Sequence, residues 1–151
     1  MTNRYVRSTD GSDASDGLTW ANAEATLTGA AAADVAGDVI WVSQVHAEST
    51  AAAITFNWAG TKASPIRILC GNDAAEPPTA LATTATVSTT GVNSTINLDV
   101  ANDAIYVYGI TFNAGDATTA SEIRLNSGTL GQVYESCNFH LRTDSGGRRI
   151  F

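Results

Sequence analysis

Apolar and polar residues alternate in the second half of the chain. Ile96 and Leu98 flank the polar Asn97, and the same pattern returns at Ile123 and Leu125. Successive side chains of a β-strand point to opposite faces, so a period of two predicts strands with one buried face. The second half is therefore predicted to consist of short strands.

These strands belong to a repeat. Residues 96–113 and 123–140 align without a gap, so that Phe112 meets Phe139 after about 27 residues. Self-similarity at a period of about 20 to 50 residues is typical of solenoids, in which one supersecondary unit stacks on its copy. The sequence therefore predicts an all-β fold, a parallel β-helix with about 27 residues per coil.

One α-helix is predicted ahead of the strands, over residues 19–37. Thr19 suits the N-cap and Gly37 suits the C-terminal stop. We expect this helix to cover the open end of the strand core. Its apolar face recurs at helical spacing and comprises Trp20, Ala23, Leu27 and Ala31.

The 151 residues are expected to form one domain. An initial strand and a loop rich in turn-forming residues occupy residues 1–18, before the helix. Coils are predicted over residues 38–141, interrupted by an excursion at 71–93 where Pro77 and Pro78 forbid a regular ladder. A polar tail follows at residues 142–151.

The charge balance narrows the range of partners. The chain has 8 Lys and Arg residues against 15 Asp and Glu residues, and its net charge is −7. A nucleic-acid partner is excluded because the basic residues form no cluster that could follow phosphates. The sequence contains no run of 18 apolar residues, so no membrane span is predicted. The first residues resemble no signal peptide, so we expect the chain to stay in the cytoplasm of the cell that makes it.

The first half of the chain resembles a known superfamily. The segments DGSDASDGLTWANAEATL, AGDVIWV and FNWAGTKASPIRILCG follow one another there, with a Gly-Asp pair at residues 37–38 and a Gly-Thr…Pro-Ile turn at residues 60–66. This order is similar to the opening of right-handed parallel β-helix proteins of the pectate-lyase-like superfamily. The resemblance implies a right-handed β-helix. It leaves several functions open, because such proteins include polysaccharide lyases, glycoside hydrolases, bacteriophage tailspikes and non-enzymatic virion proteins.

Two kinds of enzyme site can be sought in the sequence. A lyase acting on acidic glycans would need acidic residues and a nearby base, for which Asp99, Asp103 and Arg124 are the candidates. A stacked polar ladder is the favoured interpretation of the Asp99 position, because Asn126 occupies the equivalent place in the next repeat. A hydrolase would need two carboxylates across a groove, and Glu122 and Glu135 are available.

The remaining reactive residues predict no metal or cofactor site. His46, His140, Cys70 and Cys137 lack the spacing of zinc ligands. The two cysteines are expected to be buried free thiols. The tryptophans of the strand-like segments are expected in the core and are Trp41 and Trp58.

The preferred functional hypothesis is a non-enzymatic structural component of a bacteriophage virion. A capsid decoration or cement protein, or the base of a spike, would suit a short coil stack assembled in the host cytoplasm. A polysaccharide lyase, a glycoside hydrolase or a tailspike fragment is the alternative. The partners would be other virion proteins and further copies, with a trimer favoured, and a surface glycan is a further candidate ligand. Ile150 and Phe151, apolar residues after a polar tail, are expected to contact a neighbouring chain.

Overall fold

The computed structural model describes residues 1–98, 104–117, 120–125, 131–143 and 149–150. Within these residues the secondary structure is mainly β-strand. The helical elements are a 3-10 turn, Trp20–Asn22, and one α-helix, α1, Leu27–Ala33. The strands are β1 (Asn3–Val6), β2 (Val39–Ser43), β3 (Ala47–Thr50), β4 (Ile54–Thr55), β5 (Ile66–Gly71), β6 (Ala85–Thr89), β7 (Thr95–Asn97), β8 (Ile105–Tyr108), β9 (Ile110–Ala117), β10 (Glu122–Arg124), β11 (Gln132–Glu135), β12 (Asn138–Thr143) and β13 (Arg149–Ile150).

The strands pair in parallel in three sheets. Sheet 1 has five strands in the order β1-β2-β5-β8-β11. Sheet 2 has four, β13-β10-β7-β4, and sheet 3 has four, β12-β9-β6-β3. Every sheet therefore ends, on one side, in a strand from the C-terminal part of the described chain.

The predicted fold class is wrong in its central feature. The parallel strands lie in three open sheets, and none of the sheets forms a solenoid or closes. The 27-residue period also fails to extend along the whole chain. In sheet 1, Val39 pairs with Arg67, Arg67 with Tyr106 and Tyr106 with Val133, which are separations of 28, 39 and 27 residues. A repeat that governs only the second half cannot specify one uniform coil.

Within the second half, the predicted register is confirmed. Ile96 lies opposite Ile123, and Phe112 lies opposite Phe139. Five of the predicted core residues are buried: Ile96, Leu98, Ile110, Phe112 and Ile123. The other two, Leu125 and Phe139, are half-buried and pack against this core. The period-two pattern therefore gave the inward face correctly.

The predicted helix is much shorter than expected. Thr26, and not Thr19, is the N-cap of α1, and its hydroxyl accepts the N–H of Gly29 at 2.9 Å. Residues 23–26 are not helical because the chain there pairs with β1: Glu24 N–H bonds Tyr5 O at 2.9 Å, and Arg7 N–H bonds Glu24 O at 2.8 Å. Tertiary backbone pairing outweighs the helix propensity of this segment.

Part of the predicted excursion at residues 71–93 belongs to the sheets. β6 lies inside sheet 3 between β3 and β9. Val87 is fully buried there, while Thr86 and Ser88 are half-buried. The excursion packs on the N-terminal loop, where Trp20 donates its backbone N–H to the Glu76 carboxylate and its indole N–H to Ala75 O at 3.1 Å.

Candidate functional site

The structure does not show the predicted lyase residues as one site. Arg124 is exposed on β10, and its Nη2 lies 2.8 Å from Oε2 of Glu122 two residues earlier. Asp99, Asp103 and Asn126 lie outside the described residues. Of the proposed base and its acidic partners, the structure therefore places only the base, in an exposed local ion pair.

The two carboxylates considered for a hydrolase lie in different sheets. Glu122 is on β10 of sheet 2, whereas Glu135 is on β11 of sheet 1. Glu135 accepts the hydroxyl of Tyr106 at 2.6 Å, and this hydrogen bond raises the pKa of Tyr106 to about 12. Each carboxylate is thus engaged with its own neighbour, Arg124 or Tyr106.

The structure describes both cysteines and both histidines. Cys70 is a buried free thiol, as predicted, whereas Cys137 is free but half-buried, and burial raises the pKa of both. His140 on β12 places Nδ1 3.1 Å from Oδ1 of Asn113, its repeat equivalent on β9. The described part of the chain contains no group of three His, Cys, Asp or Glu residues that could hold a metal ion.

The tryptophans divide between core and surface. Trp58 is buried and stacks on Phe56 with ring centroids 5.6 Å apart, which confirms the expectation for that residue. Trp41 is half-buried on the outer face of sheet 1, beside Tyr5 and Trp20, and its indole N–H donates to Asn3 at 3.2 Å. The expectation of a core position for Trp41 is therefore only partly correct.

A buried histidine and glutamate form a polar pair that the sequence reasoning missed. His46 is 1% exposed and Glu48 is 7% exposed, and His46 Nε2 lies 3.4 Å from Glu48 Oε2. They flank Ala47 on β3, so the i, i+2 spacing puts both on the inner face of sheet 3. Glu48 lies opposite Val87, which in turn lies opposite Phe112. This spacing was the available signal for a polar pair at an inward position.

A further exposed feature is the side where β11 and β12 end sheets 1 and 3. We call it the end surface and define it by Tyr134, Cys137, Phe139 and Leu141. All four are half-buried and pack against the main core. Both strands are edges within the described part of each sheet, so their outer N–H and C=O groups face away from a pairing strand.

Aromatic packing makes the end surface continuous with the interior. The Phe139 ring stacks on Phe112 at 5.6 Å and meets Tyr134 edge-on at 5.3 Å. The Cys137 thiol contacts Val107 O at 3.6 Å and Glu135 O at 3.4 Å. Phe112 is 1% exposed, so the fully buried core begins at β9, the strand that pairs directly with β12.

The predicted assembly contacts can be located only in part. Ile150 belongs to β13, whose backbone pairs with β10 so that Ile150 lies opposite Ile123. Phe151 lies outside the described residues. The proposed contacts of both with a neighbouring chain remain predictions.

Comparison of the chain with protein-family models, curated proteins and solved structures finds no match. The pectate-lyase-like resemblance therefore remains a prediction made from short motifs. Among the described residues, no helix has both the length and the apolar character needed to cross a membrane.

Proposed function

We propose that this chain is a non-enzymatic structural component of a larger particle, built into it through the end surface. The observation that carries the proposal is the combination of two edge strands, β11 and β12, with half-buried apolar side chains directly behind them. A strand edge with an apolar inner face is a ready template for another polypeptide.

The register of sheet 3 defines what a partner strand should offer. Phe139 and Leu141 lie on the inner face of β12, opposite Phe112 and Ala114 of β9. A further parallel strand would pair with the outer edge of β12 and place apolar residues beside Phe139 and Leu141. Burial of these side chains would add to the backbone hydrogen bonds, so strand addition would contribute both affinity and register.

The proposed particle is a bacteriophage virion, in which the chain would serve as a capsid decoration protein or a spike base. This setting is one of the functions that the sequence resemblance leaves open, and an attachment surface such as the end surface would suit it. A homotrimer is the favoured assembly, with contacts from Ile150 and Phe151 in addition to the end surface.

The test compares Leu141→Lys with Val133→Lys. Both replace an apolar side chain near the end of the sheets, but Leu141 is half-buried on the inner face and Val133 is 54% exposed. Virions purified from a lysed host culture should contain the wild-type chain and Val133→Lys in fixed stoichiometry. Leu141→Lys should be absent from particles while remaining folded by circular dichroism.

Two results would contradict the proposal. One is an incorporation of Leu141→Lys equal to that of wild type. The other is a wild-type chain that is absent from particles and cleaves an acidic polysaccharide to unsaturated products.

A further inference from the structure

A second site lies away from the end surface. A pocket of about 390 Å³ opens between the start of α1 and the strands β3 and β4. These strands end sheets 3 and 2 on the side opposite to β12 and β13. The pocket is lined by hydroxyl, methyl and carboxylate groups, which include those of Thr28, Glu48, Thr50, Ala53, Ile54 and Thr55.

Among the described residues that line this pocket, Glu48 is the one ionisable residue. Its Oε2 accepts the backbone N–H of Leu27 at 3.0 Å and lies 3.4 Å from His46 Nε2. Both of these contacts use Oε2 and leave Oε1 toward the pocket as the further acceptor. A carboxylate that is 93% buried and satisfied on one oxygen alone retains strong acceptor capacity on the other.

His46 lies beside this carboxylate. The backbone N–H of Ser8 donates to His46 Nδ1 at 3.1 Å, so in the neutral ring the proton is on Nε2, which faces Glu48. The Nε2–H makes no hydrogen bond of good geometry in the described residues. An imidazole that accepts the Ser8 N–H on Nδ1 carries one proton, so it supplies no positive charge beside Glu48.

We propose that the pocket binds an arginine side chain of a partner protein. A guanidinium carries five N–H donors in one plane, enough to bond Oε1 of Glu48 and the hydroxyls of Thr28 and Thr55 together. The methylene stem would pack on Ala53 and Ile54. Charge complementarity favours a cation, because the described lining residues include Glu48 but no Lys or Arg and the chain has a net charge of −7.

The proposal leaves the structural role of Glu48 intact. Leu27 N–H and the guanidinium would use different oxygens of the carboxylate, so α1 stays docked on β3 when the pocket is filled. The inference is independent of the proposed virion role, because the end surface contributes no residue to this pocket.

The experiment uses N-acetyl-arginine amide as the probe and N-acetyl-citrulline amide as its neutral isostere. Methyl NMR spectra of the full chain are recorded during titration with each compound. Arginine amide should shift the methyl signals of Ile54, Thr28 and Thr55 in a saturable manner. Citrulline amide should bind at least about tenfold more weakly, the usual effect of losing a charge-assisted hydrogen bond. Equal shifts by the two compounds would overturn the proposal.

Variants locate the binding. Glu48→Gln keeps an acceptor for Leu27 N–H but removes the charge, and Ala53→Leu fills an exposed part of the wall without touching the carboxylate. Both should weaken arginine amide binding at least about tenfold. Glu122→Gln, which removes a carboxylate from β10, should leave it unchanged. If Glu48→Gln does not fold, Ala53→Leu alone tests the location of the site. Undiminished binding of arginine amide to Ala53→Leu would contradict binding in this pocket.

Discussion

Phe112 and Phe139 lie opposite each other on the paired strands β9 and β12, with their rings stacked 5.6 Å apart at an angle of 10°. Phe112 is 1% exposed, whereas Phe139 is half-buried. Two copies of the same repeat position therefore mark where the closed core becomes the end surface. Because their burial differs, the two rings should contribute unequally to the stability of the fold.

Truncation of the two rings should have unequal effects on the free energy of unfolding. Phe112→Ala should cost about 3–5 kcal/mol, the range for a fully buried phenylalanine. Phe139→Ala should cost clearly less in the isolated chain, because water already reaches part of its ring. Urea unfolding followed by circular dichroism measures both values. Equal costs for the two variants would show that the end surface is closed.

Glycine at position 109 is expected to be indispensable. Its φ is +78°, and an added Cβ would lie 2.1 Å from the carbonyl oxygen of Ala82. Gly109→Ala should therefore destabilise the chain by more than about 2 kcal/mol, from the strained backbone and the clash together. Gly131→Ala is the matched control, because no described atom beyond its chain neighbours lies within 4 Å of its added Cβ. Similar thermal midpoints for the two variants would contradict the backbone description.

The stability of the chain should depend on pH through Glu24. This residue is 2% exposed, neither carboxylate oxygen accepts a hydrogen bond from a described residue, and Arg4 Nη1 is 4.0 Å away. Burial raises its pKa to about 6; Arg4 opposes the rise, while Asp13, Asp16 and Asp34 add to it. A raised pKa in the folded state favours the protonated form. The stability that the folded chain gains from binding this proton is fully present below the ordinary pKa of 4.5. It is lost as the pH rises through about 6.

The corresponding experiment subtracts the unfolding free energy of Glu24→Gln from that of wild type between pH 4 and pH 8. The difference should become less favourable to wild type as the pH rises through about 6. Glu122→Gln serves as the control because its carboxylate is in an ion pair near the surface. A flat difference for Glu24→Gln, or an equal slope for the control, would contradict the assignment.

Arg124→Ala should be nearly silent. Its partner Glu122 is two residues away on the same strand, the Arg124 side chain is 51% exposed, and exposed pairs of this kind contribute about 0–1 kcal/mol. Wild type should degrade no acidic polysaccharide, and the same result is expected for Arg124→Ala, Asp99→Ala and Asp103→Ala. Degradation by wild type that stops in Arg124→Ala would establish the lyase alternative.

The sequence predicted the local pairing of the second half well. Alternation around Ile96 and Ile123 identifies the inner face, and an ungapped repeat sets the register, because both depend on short-range patterns. The same reasoning extended the repeat too far and predicted a solenoid. The predicted start of the helix was wrong for a different reason. The backbone of Glu24 bonds to β1 and the residue after it, and local helix propensity does not reveal such long-range pairing.

The functional residues were less predictable. His46 and Glu48 could have been noticed from their shared inward face, but a strand pattern does not reveal that α1 supplies the Leu27 N–H or that a pocket opens beside them. The end surface could be anticipated only as an uncovered last strand near Leu141. Which side chains remain half-buried there depends on packing between sheets, which the sequence does not encode locally.

Hydrogen–deuterium exchange at β12 is the most direct test of attachment through the end surface. Amides of residues 138–143 should exchange rapidly in the isolated chain where they face outward, because β12 is the edge of sheet 3 in the described structure. In purified virions, or in the assembled oligomer, these amides of the wild type should become protected. Leu141→Lys, which should not be incorporated, should keep the exchange rate of the isolated chain under the same assembly conditions. Rapid exchange of β12 in the assembled wild type, equal to that of the isolated chain, would contradict attachment through the end surface.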